Sequence, residues 1–144
     1  MANKNVYEIF DEFKKVKSKT DRLDILRNND SYALRQVLLG VFHPSIEFTV
    51  EKAPEFRRVP MPPGMSYDHM TGALSRVYLF MKNNPRVPEG LTEKRKNEIL
   101  IQILEALEEK EADVFLALLK KDLKVPYLTE ALVNEAFPGL LPQS

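Results

Sequence analysis

The chain is 144 residues long and carries 21 Lys and Arg against 21 Asp and Glu, so its formal net charge is zero. That length suffices for one domain with a hydrophobic core. The absence of cysteine excludes a disulfide framework and a thiolate metal site, and it is typical of a reducing cytoplasm. We see no signal peptide and no apolar run long enough to span a bilayer, so we expect a cytoplasmic protein without membrane contact. A neutral chain suits strong nucleic-acid binding only if its charges separate onto different faces.

Apolar residues recur at helical spacing along most of the chain, beginning with a stripe from Val6 to Val16. Polar residues that suit helix N-caps precede the later stripes. The candidate caps are Ser18 or Thr20, Asp30 or Ser31, Ser66, Thr92, Asp113 and Thr129. The expected ends are residues 28–30, Phe42 or His43, residues 83–85, Leu123 and Pro138-Gly139. We therefore predict an all-α fold, an irregular bundle of about six or seven helices, with residues 1–144 forming a single domain.

The segment after the third predicted helix has a different pattern. Ile46, Phe48 and Val50 alternate with polar residues, which is the one strand-like pattern in the chain. Residues 52–63 then contain four prolines around Arg57-Arg58. We expect a long ordered loop there, which we call the proline loop.

Five acidic residues crowd together before the sixth predicted helix. This acidic cluster consists of Glu105, Glu108, Glu109, Glu111 and Asp113. We interpret it as a solvated helix end, with Asp113 as the cap of a helix from Val114 to Leu123. The alternative is a docking patch for a basic partner.

No constellation of residues predicts catalysis. The two histidines, His43 and His69, fall in different segments, and no pair of carboxylates is set apart by apolar surroundings. The sequence has no phosphate loop, dinucleotide fingerprint or Ser or Cys nucleophile motif. We therefore expect a protein that is not an enzyme and that has no catalytic residue, metal, cofactor or small-molecule substrate.

Two basic turns are the features that predict a function. The first basic turn comprises Lys17, Ser18, Lys19, Thr20 and Arg22, and the second comprises Lys120, Lys121, Lys124, Tyr127 and Thr129. Each lies beside the N-terminus of a predicted helix, where cationic side chains and backbone N–H groups make a plausible phosphate seat. Further basic pairs, assigned by charge alone, are Arg57, Arg58, Lys94, Arg95 and Lys96. The alternative for each group is a solvated polar face.

The C-terminal part of the chain resembles a known family. Lys121-Asp122-Leu123-Lys124, a short turn, and a helix ending in residues 137–142 (Phe-Pro-Gly-Leu-Leu-Pro) are similar to the end of the N-terminal DNA-binding domain of ATP-dependent DNA ligases, above all those of T-even bacteriophages. The resemblance continues upstream at low identity through a helical pattern. It implies an all-α domain that grips DNA phosphates across the minor groove, with little reading of bases.

The adenylation motif of a ligase, Lys-x-Asp-Gly, is missing. Lys19-Thr20-Asp21-Arg22 and Lys120-Lys121-Asp122-Leu123 match it in part, but both lack the glycine. The turn that contains glycine in the family here reads Val125-Pro126-Tyr127. The resemblance therefore implies the DNA-binding module without the catalyst, and Asp122 is expected to hold the turn.

Two hypotheses follow for function. The first is a non-catalytic, phage-encoded module that binds duplex DNA, including nicked DNA, without sequence specificity through the two basic turns. The second is a protein-interaction module on the same fold, which holds a replication, repair or transcription protein through the acidic cluster and the proline loop and has lost most DNA binding. A small virion or scaffold component is a third alternative.

Overall fold

The structure is a computed structural model that describes residues 5–50, 52–58 and 70–141. In these ranges the chain forms seven α-helices, one short 3-10 helix and no β-strand, which confirms the predicted all-α bundle. The α-helices are α1 (Val6–Lys15), α2 (Lys19–Asn28), α3 (Tyr32–Phe42), α4 (Met70–Leu74), α5 (Glu93–Ala106), α6 (Glu109–Leu119) and α7 (Glu130–Ala136). The 3-10 helix, Val77–Phe80, follows α4.

Side-chain caps start four of these helices where the sequence predicted them. The hydroxyls of Ser18, Ser31, Thr92 and Thr129 accept hydrogen bonds from backbone N–H groups in the first turns of α2, α3, α5 and α7. Each cap satisfies a backbone donor that has no partner inside the helix. The predicted choices between Ser18 and Thr20, and between Asp30 and Ser31, are thereby resolved in favour of the serines.

Two predicted helices differ in the structure. The helix expected through residues 70–81 is broken, because the Ser75 hydroxyl donates to the Gly72 carbonyl at 2.6 Å and the chain turns before the 3-10 helix. Its proposed cap, Ser66, lies outside the described residues. The prediction of Asp113 as a cap was wrong, since α6 begins five residues earlier than expected, at Glu109, with Glu108 at its N-cap. The helix also ends at Leu119 rather than Leu123.

The strand-like segment forms a single antiparallel bridge between Phe48 and Met81. The Thr49 N–H donates to the Phe80 carbonyl at 2.7 Å, and the Lys82 N–H donates to the Glu47 carbonyl at 2.8 Å. These bonds hold the chain after α3 against the 3-10 helix. The described part of the proline loop, residues 52–58, continues from this bridge without regular structure.

Helix α6 lies at the centre of the bundle and packs against α1, α3, α4 and α5. Phe115 is fully buried and meets Phe80 edge to face, with ring centroids 6.4 Å apart. Gly40 allows α3 to approach α6 closely, since a Cβ at that position would lie 2.4 Å from Leu118 Cδ1. Helix α7 instead packs on α2, and this contact positions the two basic turns.

None of the helices in the described ranges has the length and apolarity needed to cross a membrane.

Candidate nucleic-acid interface

The fold brings the two basic turns together. The guanidinium carbon of Arg22, in α2, lies 3.9 Å from the centroid of the Tyr127 ring in the turn before α7. Lys19 Nζ lies 2.7 Å from Glu135 Oε1, and Arg27 Nη2 donates to the Glu135 carbonyl at 2.8 Å. Residues more than a hundred positions apart in sequence therefore share one surface, which we call the paired-turn surface.

The second basic turn begins at the C-terminus of α6. The Asp122 N–H donates to the Ala117 carbonyl at 3.0 Å and the Lys121 N–H donates to the Leu118 carbonyl at 2.9 Å, which is the Schellman arrangement. The residue at the left-handed position of this motif is usually glycine, but here it is Lys121 with φ of 56°. Lys121 therefore occupies a strained backbone position. The hydrogen bonds of its side chain explain why a lysine, and not a glycine, is found there.

Lys121 points its ammonium into the protein. Its Nζ donates to the His43 carbonyl at 2.7 Å and to the Ile46 carbonyl, and so ties the end of α3 to the end of α6. Desolvation by burial lowers the pKa of Lys121, while Glu47 acts in the opposite direction. Of the lysines predicted to contact DNA, Lys121 thus has its ammonium bonded to backbone carbonyls, while that of Lys19 is paired with Glu135.

The rest of the turn is held in an unusual backbone conformation. The Lys124 N–H donates to Asp122 Oδ1 at 3.0 Å, which agrees with the structural role expected for Asp122. Lys124 and Tyr127 have φ of 54° and 67°. Together with Lys121 they account for three of the four non-glycine residues with positive φ in the described part of the chain. Such positions cost about 1 kcal/mol each and concentrate at sites of function.

The outward-facing basic side chains of the paired-turn surface are Lys17, Lys120 and Lys124, all of them exposed. Tyr127 is 68% exposed although Arg22 covers part of it. Thr20 is also exposed, in the first turn of α2. Ser18 and Thr129 serve their own helices, with their hydroxyls bonded to the Asp21 and Leu132 N–H groups.

The two arginines of the proline loop lie against the acidic cluster. Arg58 Nη1 lies 2.6 Å from Asp113 Oδ1, and the Arg57 N–H donates to Glu105 Oε2 at 2.7 Å. The Arg58 guanidinium also covers the Phe56 ring at 4.9 Å. The proline loop and the acidic cluster, which the second hypothesis assigned to binding a partner, are thus in contact with each other.

The remaining basic residues lie in the first turn of α5. Arg95 pairs with Glu98 at 3.2 Å and Lys96 pairs with Glu93 at 3.1 Å, while Lys94 is exposed. These pairs join neighbours on one helix, as is usual for a solvated face. The structure thus pairs Arg95 and Lys96, at the start of α5, with glutamates of the same helix.

A buried carboxylate pair was missed by the sequence analysis. Glu108 and Glu111 are only 5% and 4% exposed, so the expectation of a solvated helix end was wrong for them, as was the statement that no carboxylates are set apart. Glu108 Oε2 accepts from the Lys110 N–H at 3.0 Å, and Glu111 Oε1 accepts from the Tyr7 N–H of α1 at 3.2 Å. Glu111 lies four residues from both Leu107 and Phe115, which was the signal for its inward direction.

Burial dominates the electrostatics of Glu111 and raises its pKa to about 7. The negative charges of Glu108 and Glu8 act in the same direction, whereas hydrogen bonds from the N–H groups of Tyr7 and Val6 act against it. The Glu111 carboxylate thus accepts hydrogen bonds from free N–H groups at the start of α1, but its own charge is buried, which is unfavourable. Because its carboxylate is bonded to the N–H groups at the start of α1, we assign Glu111 to the fold.

The described residues contain no group of three or more His, Asp or Glu side chains arranged to hold a metal ion. His43 Nδ1 accepts from the Ser45 N–H at 3.1 Å, and His69 lies outside the described residues.

Residues 9–125 of the chain match the model of DUF6433, a family of unknown function, so the protein belongs to that family. The match includes the first basic turn and residues 120–124 of the second. No curated protein matches the chain. The resemblance to DNA ligase domains stays a prediction.

Proposed function

We propose that the protein is a non-catalytic DNA-binding module that grips the phosphates of duplex DNA, including nicked DNA, without sequence specificity. The observation that carries this proposal is the Arg22–Tyr127 contact, which joins the two basic turns into one surface. A surface that follows a phosphate backbone needs cations from more than one element, because successive phosphates are spaced along the duplex. Lys17, before α2, and Lys120, at the end of α6, are exposed and supply them from two different elements.

The distribution of the acidic cluster answers part of the objection from the neutral net charge. Glu108 and Glu111 are buried, Asp113 is paired with Arg58, and Glu105 accepts from the Arg57 N–H. These acids belong to the C-terminal end of α5 and the N-terminal part of α6, whereas the paired-turn surface carries Lys17, Lys120 and Lys124. Part of the negative charge is thus placed away from the proposed DNA contacts.

The proposed contacts are a subset of those predicted by sequence and leave out Ser18, Lys19, Thr20, Lys121 and Thr129. Lys17, Arg22, Lys120, Lys124 and Tyr127 form the binding set, since their side chains lie at the surface or over its aromatic ring. Lys121 is assigned to the fold because two carbonyls hold its ammonium. The likeness to ligase domains supports the same surface and a phage origin, which would place the protein in the cytoplasm of an infected bacterium.

The test is binding of a fluorescently labelled nicked duplex across a series of low salt concentrations. Wild-type protein is expected to bind with an affinity that falls as salt rises, and equally to two unrelated sequences. The variant Lys120→Ala/Lys124→Ala removes two phosphate contacts, so its slope of log affinity against log salt should be smaller by about two. The measurement reports the number of contacts as well as their existence.

The matched control is Lys94→Ala/Arg95→Ala, which also removes two positive charges but from α5. Its salt slope should equal that of the wild type. Equal losses in both variants would assign binding to net charge alone and not to the paired-turn surface. An absence of binding at the lowest salt would overturn the proposal, because the phosphate contribution is strongest there.

The second candidate is a protein-interaction module, favoured by the mixed charge of the same surface. Lys19 is paired with Glu135, and the exposed Asp21 and Glu130 lie near the starts of α2 and α7. Interspersed charges of both signs suit the rim of a protein interface. The proline loop and the acidic cluster contact each other, which makes these two regions weaker candidates for a protein interface than the paired-turn surface. Capture of a specific partner that is lost in Arg22→Ala, without DNA binding, would favour this function.

A further inference from the structure

Tyr127 lies at a turn position that a large side chain rarely takes. The Leu128 N–H donates to the Val125 carbonyl at 3.3 Å, which closes a four-residue turn with Pro126 and Tyr127 at its centre. The φ of Tyr127 is 67°, and proline excludes the mirror-image turns, which need a positive φ at the first central residue. This is therefore a type II turn, in which glycine or asparagine is usual at the position of Tyr127, and a tyrosine there carries a cost in backbone strain.

The turn presents the tyrosine ring to solvent and not to the core. Tyr127 is 68% exposed, the highest value for a large apolar side chain in the described part of the chain. The next residue, Leu128, is buried and anchors the turn in the core. Neither the strained backbone nor the exposed ring stabilises the fold, so we look for the role of this ring in binding.

Arg22 fixes the ring and leaves one of its faces free. The guanidinium carbon lies 3.9 Å from the ring centroid, so Arg22 covers one face of Tyr127. Since Tyr127 is exposed all the same, the opposite face of its ring lies towards solvent. The contact also restricts the ring to one orientation, which lowers the entropy lost when a planar group stacks on it.

Exposed cations accompany this ring on the paired-turn surface. Lys124 lies in the segment that leads into the turn, and Lys17 lies just before the N-cap of α2, the helix that carries Arg22. Proteins that bind unpaired nucleotides combine such elements, with phosphates held by cations and bases stacked on aromatic rings. A base inside an intact duplex is covered on both faces by its neighbours, so it has no face to offer to Tyr127.

We propose that Tyr127 stacks on an unpaired base, so that the paired-turn surface prefers duplex DNA interrupted by a short single-stranded gap over intact duplex. This inference rests on the proposed DNA function and names the DNA structure that the surface selects. Stacking keeps the absence of sequence specificity, because every base has a flat π face. A gap also removes phosphates from one strand, so electrostatic attraction alone favours the intact duplex, and the lysines cannot account for a preference for the gap.

The test compares the affinity of the full chain, at low salt, for two labelled duplexes with the same sequence and ends, one intact and one with a short gap. The wild type should bind the gapped duplex about tenfold more tightly, which is in the range of one stacked base. Tyr127→Ala should bind both duplexes equally, whereas Tyr127→Phe keeps the ring and should keep the preference. Because stacking releases no counterions, Tyr127→Ala should leave the salt slope for the gapped duplex unchanged.

Tyr32→Ala is the matched control, because Tyr32, at the start of α3, is the other exposed large apolar side chain in the described ranges. It should keep both affinities of the wild type. Lys120→Ala/Lys124→Ala separates the two contributions to binding. It should reduce the salt slope for both duplexes and leave the ratio of their affinities intact.

The outcomes separate this inference from the proposed function. Equal affinity of the wild type for the two duplexes, or a preference for the gap that survives in Tyr127→Ala, would overturn the inference and leave the phosphate-binding function standing. No binding of either duplex at the lowest salt would overturn both. The exposed ring would then be assigned to the protein interface of the second candidate function, where tyrosine and arginine are frequent anchors.

Discussion

The two ends of α6 carry charged side chains of opposite sign that are hydrogen-bonded to backbone groups. At the N-terminal end, Glu108 and Glu111 are buried and accept hydrogen bonds from backbone N–H groups of α6 and α1. At the C-terminal end, Lys121 turns inward and donates to backbone carbonyls after α3. Each end thus uses a charged side chain to satisfy backbone groups of a neighbouring element.

The ends differ in what they leave at the surface. At the N-terminal end the proline loop lies over the acidic cluster through Arg58 and Arg57. At the C-terminal end Lys120 and Lys124 stay exposed in a strained turn beside Tyr127. The acidic end is therefore structural, whereas the basic end combines one structural lysine with the surface proposed to bind DNA.

The largest effect is expected from Lys121→Ala. The substitution removes two hydrogen bonds from an ammonium and leaves the carbonyls of His43 and Ile46 without their donor, which should lower the free energy of unfolding by about 3 kcal/mol. Urea denaturation followed by circular dichroism measures it. Lys120→Ala, at the exposed neighbouring position, is the control and should change it by less than about 0.5 kcal/mol.

Lys121→Gly refines this prediction. Glycine also lacks the ammonium but adopts the left-handed conformation without strain, so it should be more stable than Lys121→Ala by about 1 kcal/mol. A Lys121→Gly variant more stable than the wild type by about 1 kcal/mol, the full gain from strain relief, would show that the ammonium contributes nothing. The C-terminal end of α6 would then carry only surface lysines.

The next effect concerns Glu111, whose pKa is raised to about 7 by burial. The folded protein binds one more proton than the unfolded chain between the ordinary pKa of a glutamate and pH 7, so the free energy of unfolding falls as pH rises through that window. Glu111→Gln removes the buried charge and keeps an acceptor for the Tyr7 N–H. It should stabilise the protein by about 2 kcal/mol at pH 8 and by much less at pH 5.

Urea denaturation at both pH values, compared between variant and wild type, cancels the contributions of other carboxylates. Glu109→Gln, on the same turn of α6, should give no such pH-dependent difference. If Glu111→Gln and wild type follow parallel curves from pH 5 to 8, Glu111 carries no buried charge in the folded protein.

How much of this structure could be predicted from sequence depends on how far apart the two hydrogen-bonding residues lie along the chain. The caps of α2, α3, α5 and α7 were predicted because a cap and its N–H partner lie three residues apart. The internal roles of Glu111 and Lys121 were missed, since their partners lie 104 and 78 residues away. The contact of Arg22 with Tyr127 was likewise invisible, and only the charge of each turn indicated a common role.

A smaller effect, with opposite signs for stability and binding, is expected at Lys124. Lys124→Gly relieves a φ of 54° and should raise the free energy of unfolding by about 1 kcal/mol, because the side chain makes no internal bond comparable to that of Lys121. It removes a proposed phosphate contact, so the affinity for nicked duplex at low salt should fall. Lys124→Ala loses the same charge but keeps the strain, so the two variants should bind DNA equally and differ in stability.

The smallest effect is expected from Arg58→Ala. The Arg58–Asp113 pair is geometrically close, but its side chains are 46% and 55% exposed, so water competes for both charges. The free energy of unfolding should fall by no more than about 0.5 kcal/mol, and this difference should shrink in high salt. A loss of about 2 kcal/mol would mean that this pair fixes the proline loop to the acidic end far more strongly than an exposed ion pair does. The acidic end would then be closed by two structural contacts, and a partner would have to displace the loop to reach it.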